Sequence, residues 1–290
     1  MAESFLTRVR SLTEHVSQKL KNRYRRVFGT LSNISLFVGW YKAKLFAREF
    51  PRMSRLLTIA AALEREVTWS DIIPFLNSKS EMDEEFVAYL ISGSSGFFVE
   101  FGAMDGFTAS NTFILETYFG WRGLLAEANP DLQAQCLRKR NNPCFNGAII
   151  GERNSNLSDS PPYTARFLQV NDQTRLGLST LEKYLDSDMH SKTRREGFKI
   201  IEVETLTLEE FLDNHDAPRK IDFLSIDTEG SEIEIIANFP FTKFDIQFIC
   251  VEHNHGVNKG TIMEIVLGAG FNLIDTSLSG GDFWFVKELK

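Results

Sequence analysis

Acidic and histidine side chains occupy two short segments of the sequence that each follow an apolar run. Asp227 and Glu229 follow one such run, and Glu252 and His253 follow the next. If the two runs are neighbouring parallel strands, their carboxyl ends meet at one edge of a sheet, where ligands bind in open α/β folds. Such a group can remove a proton from a hydroxyl, because burial and neighbouring charges tune acids and histidines toward neutral pH. We therefore predict Asp227, Glu229 and His253 as catalytic residues.

The same edge could instead bind a divalent cation. Carboxylate oxygens and imidazole nitrogens are ligands for such ions, which makes Asp227, Glu252 and His253 the candidate metal ligands. The simplest alternative is a set of solvated loop carboxylates, but their position at strand ends favours a ligand site. The sequence leaves open the choice between a proton acceptor and a metal site.

A glycine-containing turn follows the apolar run Phe97–Phe101. Glu100 lies in that run, and Gly102 and Gly106 follow it. Glycine at such positions permits a sharp turn or a close approach of the backbone to a ligand. The spacing Glu-x-Gly-x-x-x-Gly differs from the Gly-x-Gly-x-x-Gly of nicotinamide dinucleotide sites. This difference disfavours a nicotinamide-dependent oxidoreductase.

Glu127 ends another apolar run, about twenty residues after Gly106. An acid at that place can accept hydrogen bonds from both hydroxyls of a nucleoside ribose. Alternatively, Glu127 only favours the start of a helix, with Pro130 near its first turn. Because Glu127 occurs together with the glycine-containing turn, ribose binding is the favoured interpretation.

From Gly93 onward, short apolar runs alternate with helical patterns, which predicts a layered α/β fold. The predicted strands are Phe97–Phe101, Gly123–Glu127, Pro143–Ile149, Ile221–Asp227, Ile246–Glu252, Phe271–Asp275 and Asp282–Val286. The predicted helices are Thr108–Phe119, Pro130–Arg140, Thr207–Leu212, Ser231–Asn238 and Thr261–Gly268. Thr207 and Glu210 form a predicted capping box. The segment Gly151–Gly197 is polar and irregular, and we interpret it as substrate loops or an insertion.

Residues 1–90 form a predicted basic, helical N-terminal extension, and residues 91–290 form the predicted catalytic domain. Apolar residues recur at steps of three and four between Phe5 and Leu31, as on one face of a helix. Residues 1–55 carry twelve Lys or Arg and three acidic residues. Such a helix could lie on an anionic membrane. Packing on its own domain or on a second subunit is the favoured interpretation.

The composition argues against several classes of protein. Three cysteines are too few and too scattered for a disulfide scaffold or a cysteine-rich zinc site. No run approaches the roughly 18 apolar residues that span a bilayer. Residues 56–290 carry 20 basic and 36 acidic residues, a balance that disfavours nucleic-acid binding. We expect a cytoplasmic protein, with the basic helix as a candidate peripheral contact to the inner face of the membrane.

Five segments, taken in order, resemble the FkbM family of methyltransferases. They are Val99–Gly106, Ser110–Thr112, Gly123–Pro130, Ile226–Glu232 and Val251–Asn254. The resemblance spans residues 95–287 and does not include residues 1–90. It implies a Rossmann-like, seven-stranded methyltransferase sheet with helices on both faces, and S-adenosylmethionine as the cofactor. It also implies O-methylation of a hydroxyl, often on a sugar, a polysaccharide or a polyketide.

The resemblance further implies which residues bind the cofactor. Glu100, Gly102 and Gly106 match the loop at the methionine end of the cofactor. Glu127 matches the acid that binds the ribose, and Ala148 lies where contact with the adenine is expected. The full predicted set is Glu100, Gly102, Ala103, Asp105, Gly106, Asn111, Glu127, Ala128, Ala148 and Asp227.

Asp227 and Glu229 match the family's Asp-x-Glu-Gly segment at the reaction centre. The resemblance does not fix the general base, so the choice of Asp227 or His253 rests on residue chemistry alone. The predicted apolar wall beside the methyl group consists of Phe101, Met104 and Phe107.

The sequence therefore predicts an S-adenosylmethionine-dependent O-methyltransferase. Its expected acceptor is a hydroxyl on a small molecule, a sugar, a polysaccharide or a glycan precursor. The alternative is a catalytically weak module of the same fold that binds the cofactor or a protein partner. No nucleic-acid partner is expected, and the sequence leaves open both homo-oligomer formation and a membrane contact of the basic helix.

Overall fold

The computed structural model describes residues 51–76, 82–153, 162–187, 190–253, 259–274 and 276–287. The chain divides into two compact units, Met1–Glu81 and Met82–Lys290. The predicted helix between Phe5 and Leu31 lies outside the described residues, so its form and its partners stay predictions. Of the helices that are described, none is long and apolar enough to cross a membrane.

The described part of the first unit contains two helices, α1 (Pro51–Ala62) and α2 (Trp69–Leu76). Apolar side chains spaced to lie on one side of α1 are buried. They are Met53, Leu56, Ile59 and Ala60. Helix α2 begins after Thr68, whose backbone N–H and hydroxyl donate to the Asp71 carboxylate at 2.7 and 2.6 Å. These hydrogen bonds fix the start of α2.

The second unit contains one sheet of ten strands. The strands are β1 (Phe97–Phe101), β2 (Arg122–Glu127), β3 (Cys144–Ile150), β4 (Thr164–Val170), β5 (Thr180–Leu181), β6 (Phe198–Thr207), β7 (Lys220–Ile226), β8 (Asp245–Glu252), β9 (Asn272–Leu273) and β10 (Asp282–Val286). Their order across the sheet is β5-β4-β6-β3-β2-β1-β7-β8-β10-β9. The inner strands from β6 to β8 pair in parallel. Antiparallel pairs attach β4, β5, β10 and β9.

The second unit contains seven described α-helices, two of which begin at a side-chain cap. They are α3 (Glu84–Ser92), α4 (Phe113–Thr117), α5 (Pro130–Lys139), α6 (Ser191–Arg195), α7 (Leu208–Asn214), α8 (Glu232–Ala237) and α9 (Lys259–Gly268). At α5, the Asn129 side chain accepts the N–H of Asp131 at 3.0 Å, and Pro130 occupies the first turn. At α7, the predicted capping box of Thr207 and Glu210 is confirmed by both of its hydrogen bonds.

Helices cover both faces of the sheet. Val99 and Phe101 of β1 pack with buried side chains of α7, α8 and α9. Strand alternation turns Phe98 to the other face, where its ring centroid lies 5.4 Å from the guanidinium of Arg140, just after α5. A mostly parallel sheet between helices confirms the predicted α/β class and is consistent with a Rossmann-like fold.

The predicted count of seven strands is wrong, because the sheet continues beyond β3. The seven strands predicted from the sequence correspond to β1, β2, β3, β7, β8, β9 and β10. The further strands β4, β5 and β6 occupy residues 164–207, which we call the β4–β6 segment. Strand β6 buries only Val203 and Thr205. It therefore lacks the apolar run that marks an inner strand in a sequence.

The chain divides before α3, ahead of the predicted domain boundary at residue 90. Two buried acids of α3 account for this, because each is bonded to the sheet unit. The Glu85 carboxylate accepts the N–H of Ile114 at 2.5 Å. The Glu84 carboxylate accepts the indole N–H of Trp284 at 3.0 Å. Residues 82–90 therefore belong to the unit that contains the sheet.

Candidate active site

A cavity of about 400 Å³ opens at the carboxyl ends of the neighbouring strands β3, β2, β1 and β7. Residues at these strand ends form one part of its lining, and the β4–β6 segment forms another. We call residues 174–181 of that segment the wall loop, and residues 227–231 after β7 the acid loop. The cavity therefore lies where a ligand binds in an open parallel sheet.

The structure brings about half of the predicted site residues to this cavity. Those that line it are Gly102, Glu127, Ala128, Ala148, Asp227 and Glu229. Those outside its lining are Glu100, Ala103, Asp105, Gly106, Asn111, Glu252 and His253. The predicted ribose acid, adenine position and acid loop thus meet at one cavity, whereas most of the turn after β1 packs elsewhere.

Glu127 is buried at the end of β2 and is held by backbone groups. Its Oε2 accepts the N–H of Met104 at 2.8 Å, and its Oε1 accepts the N–H of Asn129 at 2.7 Å. Burial raises the pKa of Glu127 to about 7, although these hydrogen bonds act to lower it. Each carboxylate oxygen can accept a further hydrogen bond. Glu127 therefore presents two fixed acceptors to a ligand in the cavity.

Three residues that line the cavity hold a left-handed backbone conformation. They are Met104, Ala109 and Glu229, with φ angles of 48°, 53° and 59°. Among the other described non-glycine residues, only Glu64 and Asp216 have positive φ. Such conformations cost about 1–3 kcal/mol each and cluster at functional sites. Their position favours the cavity as the candidate site independently of side-chain chemistry, and no sequence pattern signalled them.

The glycines of the turn after β1 allow close packing of the protein on itself. Gly102 has φ +74°, and a Cβ there would overlap the backbone carbonyl oxygen of Asp227. Gly106 has φ +76°, and a Cβ there would lie 2.8 Å from Cys136 Sγ and from Arg140 Cγ. Gly102 therefore allows close contact between the ends of β1 and β7, and Gly106 allows the turn to pack closely against α5.

Glu100 is buried beneath the same turn, and its hydrogen bonds stabilise the turn. Its carboxylate accepts the N–H of Asn111 at 2.6 Å and the hydroxyls of Ser110 and Thr112 at 3.0 and 2.5 Å. Asp105 likewise accepts backbone N–H groups within the turn. Glu100, Asp105 and Asn111 thus shape the turn that carries Met104 to the cavity.

Arg140, which lies outside the predicted site, ties this turn to the neighbouring helices. Its buried guanidinium pairs with Glu116 Oε2 of α4 at 2.6 Å and donates to the hydroxyls of Ser110 and Thr112 at 3.0 and 2.8 Å. In a sequence, a basic residue at the end of a helix suggests a solvated side chain that favours the helix dipole. The fold alone reveals this buried network.

The acid loop and the end of β8 bring three carboxylates together. Oxygens of Asp227, Glu229 and Glu252 lie within 4.8 Å of one another, and Asp227 is hydrogen-bonded to Glu252. Burial raises the pKa of Asp227 to about 6. Burial and the charge on Asp227 raise the pKa of Glu252 to about 12. At neutral pH, a protonated Glu252 therefore donates to an ionised Asp227, which can accept a proton from a ligand.

His253 is not a member of this acid group. Its backbone N–H donates to the carbonyl of Gly281 at 3.0 Å, and its ring lies 4.3 Å from the ring of Phe283. Within the described ranges, the potential metal ligands that converge at the acid loop are Asp227, Glu229 and Glu252. The predicted metal ligands Asp227 and Glu252 thus lie together with Glu229, whereas the His253 ring packs against Phe283 of β10. Which of these residues would bind a metal stays a prediction.

Glu232, at the first position of α8, holds the acid loop in shape. Its Oε1 accepts the N–H and the hydroxyl of Thr228, both at 2.8 Å, and the N–H of Gly230 at 3.0 Å. These donors lie at the start of a helix, where backbone N–H groups need an acceptor. The sequence signal for this role is an acid in the first turn of a predicted helix.

Comparison with known proteins identifies the region that contains the site. The family model described as the methyltransferase FkbM domain matches residues 100–273. This range contains the cavity lining, the acid loop and the whole β4–β6 segment. No curated protein matches the chain.

Proposed function

The chain belongs to the FkbM family of methyltransferases, and we propose that it transfers a methyl group from S-adenosylmethionine to a hydroxyl oxygen. The observation that carries the proposal is the position of Glu127. This buried acid ends β2, next to the central strand β1, and lines the cavity with two fixed acceptors. An acid in that place suits the two hydroxyls of a ribose.

The other residues around the cavity also suit an adenosyl cofactor. The volume of about 400 Å³ lies within the range of small-ligand sites. Ala128 and Ala148 leave space for a flat base, and Phe101 and Met104 provide apolar surface. When bound, the cofactor supplies a methyl group on a positively charged sulfur, which an oxygen nucleophile can attack.

We assign the uptake of the hydroxyl proton to Asp227. It lines the cavity, and its raised pKa of about 6 leaves it ionised at neutral pH, close to the range in which general bases are most effective. The hydrogen bond with Glu252 orients its carboxylate. Asp227 therefore combines the required position with the required protonation state.

A divalent cation is the alternative use of the same carboxylates. Asp227, Glu229 and Glu252 offer the hard oxygen ligands that Mg²⁺ and Mn²⁺ prefer. Such an ion would supply Lewis-acid chemistry. Loss of methyl transfer in a chelator, with recovery on adding Mg²⁺ or Mn²⁺, would support the cation. Full activity in the chelator would support Asp227 as the proton acceptor.

The acid loop supports an acceptor with several hydroxyls, such as a sugar, a polysaccharide or a glycan precursor. Thr228, Glu229 and Ser231 line the cavity with hydroxyl and carboxylate groups. Groups of this kind can exchange hydrogen bonds with neighbouring hydroxyls on a sugar ring. Polar groups of both donor and acceptor type therefore adjoin the cavity.

Calorimetry with S-adenosylhomocysteine, the demethylated cofactor, tests the binding part of this proposal. We expect the folded wild-type chain to bind it with a single site. Absence of binding by protein that is folded by circular dichroism would refute the proposal.

Transfer of labelled methyl groups to glycan extracts, followed by mass spectrometry, tests the catalytic part. We expect Asp227→Asn to bind the cofactor as the wild type does and to lose about 100-fold or more in turnover, the usual contribution of a general base. Loss of cofactor binding in this variant would contradict the role assigned to Asp227. Cofactor binding without transfer to any acceptor would instead support the catalytically weak module.

A further inference from the structure

Arg194 of α6 is a fully buried arginine between two parts of the cavity lining. Its side chain is 0% exposed. Its Nε donates to the carbonyl oxygen of Leu178 at 2.6 Å, and a terminal guanidinium nitrogen donates to Glu229 Oε2 at 2.7 Å. Leu178 lies in the wall loop and Glu229 in the acid loop, and both line the cavity. One guanidinium therefore joins two segments that are far apart in the sequence.

We propose that Arg194 is a positioning residue for methyl transfer, which fixes the acid loop to the wall loop and so holds Glu229 at the acceptor end of the cavity. The proposal rests on the proposed function, because it assigns a role in the same reaction. Arg194 itself is outside the cavity lining, so it acts through Glu229 and the wall loop.

A second contact from the β4–β6 segment supports this role. The hydroxyl of Thr180 donates to the backbone carbonyl of Glu229 at 2.7 Å. The segment therefore holds both the side chain and the backbone of Glu229, whose φ of 59° is costly for a non-glycine residue. A strained conformation persists only where its surroundings fix it, and here the β4–β6 segment provides the fixing contacts.

The wall loop also contacts the turn after β1. A Cβ on Gly177 would lie 2.8 Å from Cε of Met104, so the loop already packs closely on that side chain. Met104 in turn donates its N–H to Glu127. The wall loop is thus packed against the turn after β1 and hydrogen-bonded to the acid loop through Arg194. Loss of the Arg194 guanidinium would remove the link to the side chain of Glu229. The hydrogen bonds of Glu127 and the bond from Thr180 to the Glu229 carbonyl would stay in place.

The chemistry of the pair explains why an arginine occupies this position. A planar guanidinium can donate to a carbonyl and a carboxylate at the same time with fixed geometry, which a lysine cannot reproduce. Glu229 also lies beside Asp227, and the Arg194 guanidinium bonded to Glu229 opposes the repulsion between these two carboxylates. Loss of the Arg194 guanidinium would therefore favour movement of Glu229 away from Asp227.

The test compares Arg194→Met and Arg194→Lys with a matched control, Arg195→Met. Arg195 is the next residue, but its pair with Asp186 lies on the surface. For Arg194→Met we expect kcat for methyl transfer to fall about 100-fold, as for a misplaced catalytic group. The Kd of S-adenosylhomocysteine should change by about twofold or less, because Glu127 keeps its partners. Arg194→Lys should recover part of kcat, and Arg195→Met should match the wild type.

Amide hydrogen exchange provides a readout that needs neither cofactor nor acceptor. We expect faster exchange in residues 174–181 and 227–231 of Arg194→Met, and no change there in Arg195→Met. A folded Arg194→Met with wild-type exchange and wild-type kcat would overturn the proposal, as would equal losses of cofactor binding and kcat. If Arg194→Met does not fold, Arg194→Lys replaces it, with faster exchange expected in the same residues and a smaller loss of kcat.

The two proposals can fail separately. If the wild type binds no cofactor and transfers no methyl group, the proposed function fails. The exchange measurement still decides whether Arg194 joins the two loops, because it uses the protein alone.

Discussion

Glu127 has two roles at the level of single residues, because it fixes the backbone of Met104 and Asn129 and presents acceptors to the cavity. We expect Glu127→Ala to weaken binding of S-adenosylhomocysteine at least about tenfold through loss of charge-assisted hydrogen bonds. The free energy of unfolding should also fall by about 1–3 kcal/mol, because two buried N–H groups lose their acceptor. Calorimetry and urea denaturation measure the two effects.

Glu209→Ala is the matched control for this change. Glu209 pairs with Lys243 on the surface, so its loss should alter stability by about 0.5 kcal/mol or less and leave binding unchanged. If Glu127→Ala binds the cofactor product as tightly as the control does, the assignment of the ribose acid is wrong.

The raised pKa of Glu127 also gives cofactor binding a dependence on pH. Burial brings this pKa to about 7, so the carboxyl is protonated below that pH and loses acceptors for the ribose hydroxyls. The affinity for S-adenosylhomocysteine should therefore fall by up to about tenfold per pH unit below pH 7. Glu127→Gln cannot ionise and should show a flatter profile in calorimetric titrations between about pH 6 and 8. Identical profiles for the two proteins would contradict this explanation.

The ends of β1 and β7 meet because Gly102 has no side chain. These strands pair in register up to Phe101 and Ile226, and a Cβ on Gly102 would overlap the carbonyl of Asp227. We expect Gly102→Ala to lower the free energy of unfolding by about 2–5 kcal/mol, from overpacking and a left-handed alanine together. Urea denaturation followed by circular dichroism measures the loss.

Gly120→Ala separates these two causes. Gly120 has the same φ of +74°, and a Cβ there would have nothing within 4 Å. This control should lose only the cost of the backbone conformation, about 1–2 kcal/mol. Equal losses in the two variants would show that packing against Asp227 contributes nothing.

The inner strands could be predicted from the sequence because each is a short apolar run bounded by polar or glycine residues. Strands β1, β2, β7 and β8 are buried along almost their whole length. Strand β6 was missed because charged residues interrupt its apolar ones, so it has no continuous apolar run, and only Val203 and Thr205 are buried. The missed strands matter for function, because the β4–β6 segment forms part of the cavity lining.

The residues of the candidate site also differ in how far they could be predicted from the sequence. Glu127 and Asp227 could be predicted because ligands bind at the carboxyl ends of parallel strands, and both acids directly follow or end such strands. Arg140 and Arg194 could not be predicted, since each is buried by partners far away in the sequence. His253 was predicted at the acid group on the same rule, but its ring packs on Phe283 instead.

For the whole molecule, buried acids predict a stability that decreases as the pH rises. Burial raises the pKa of Glu84 to about 8 and those of Asp282 and Glu127 to about 7. The unfolded chain releases these protons near pH 4. These acids therefore make their full contribution to the free energy of unfolding below about pH 4. The contribution decreases as the pH rises above 4, and it is lost once the pH exceeds the folded-state pKa values of about 7 and 8. We expect the free energy of unfolding to be about 3 kcal/mol or more higher at about pH 5.5 than at about pH 8.5.

Glu84→Gln tests the largest of these contributions. Glutamine keeps an acceptor for the indole N–H of Trp284 but cannot ionise. The dependence of stability on pH, measured by urea denaturation at several pH values, should be less steep in this variant. A wild-type stability that increases across the same interval would contradict the role of these buried acids.

The position of β1 has a consequence for synthesis of the chain. This strand lies between β2 and β7, and its hydrogen bonds to β7 join residues about 125 positions apart. While the ribosome makes the intervening residues, one edge of an aromatic, apolar strand stays open in the nascent polypeptide. Such an edge is a template for association with other chains. We therefore expect chaperones to engage the growing chain until Phe223–Ile226 emerges and closes that edge.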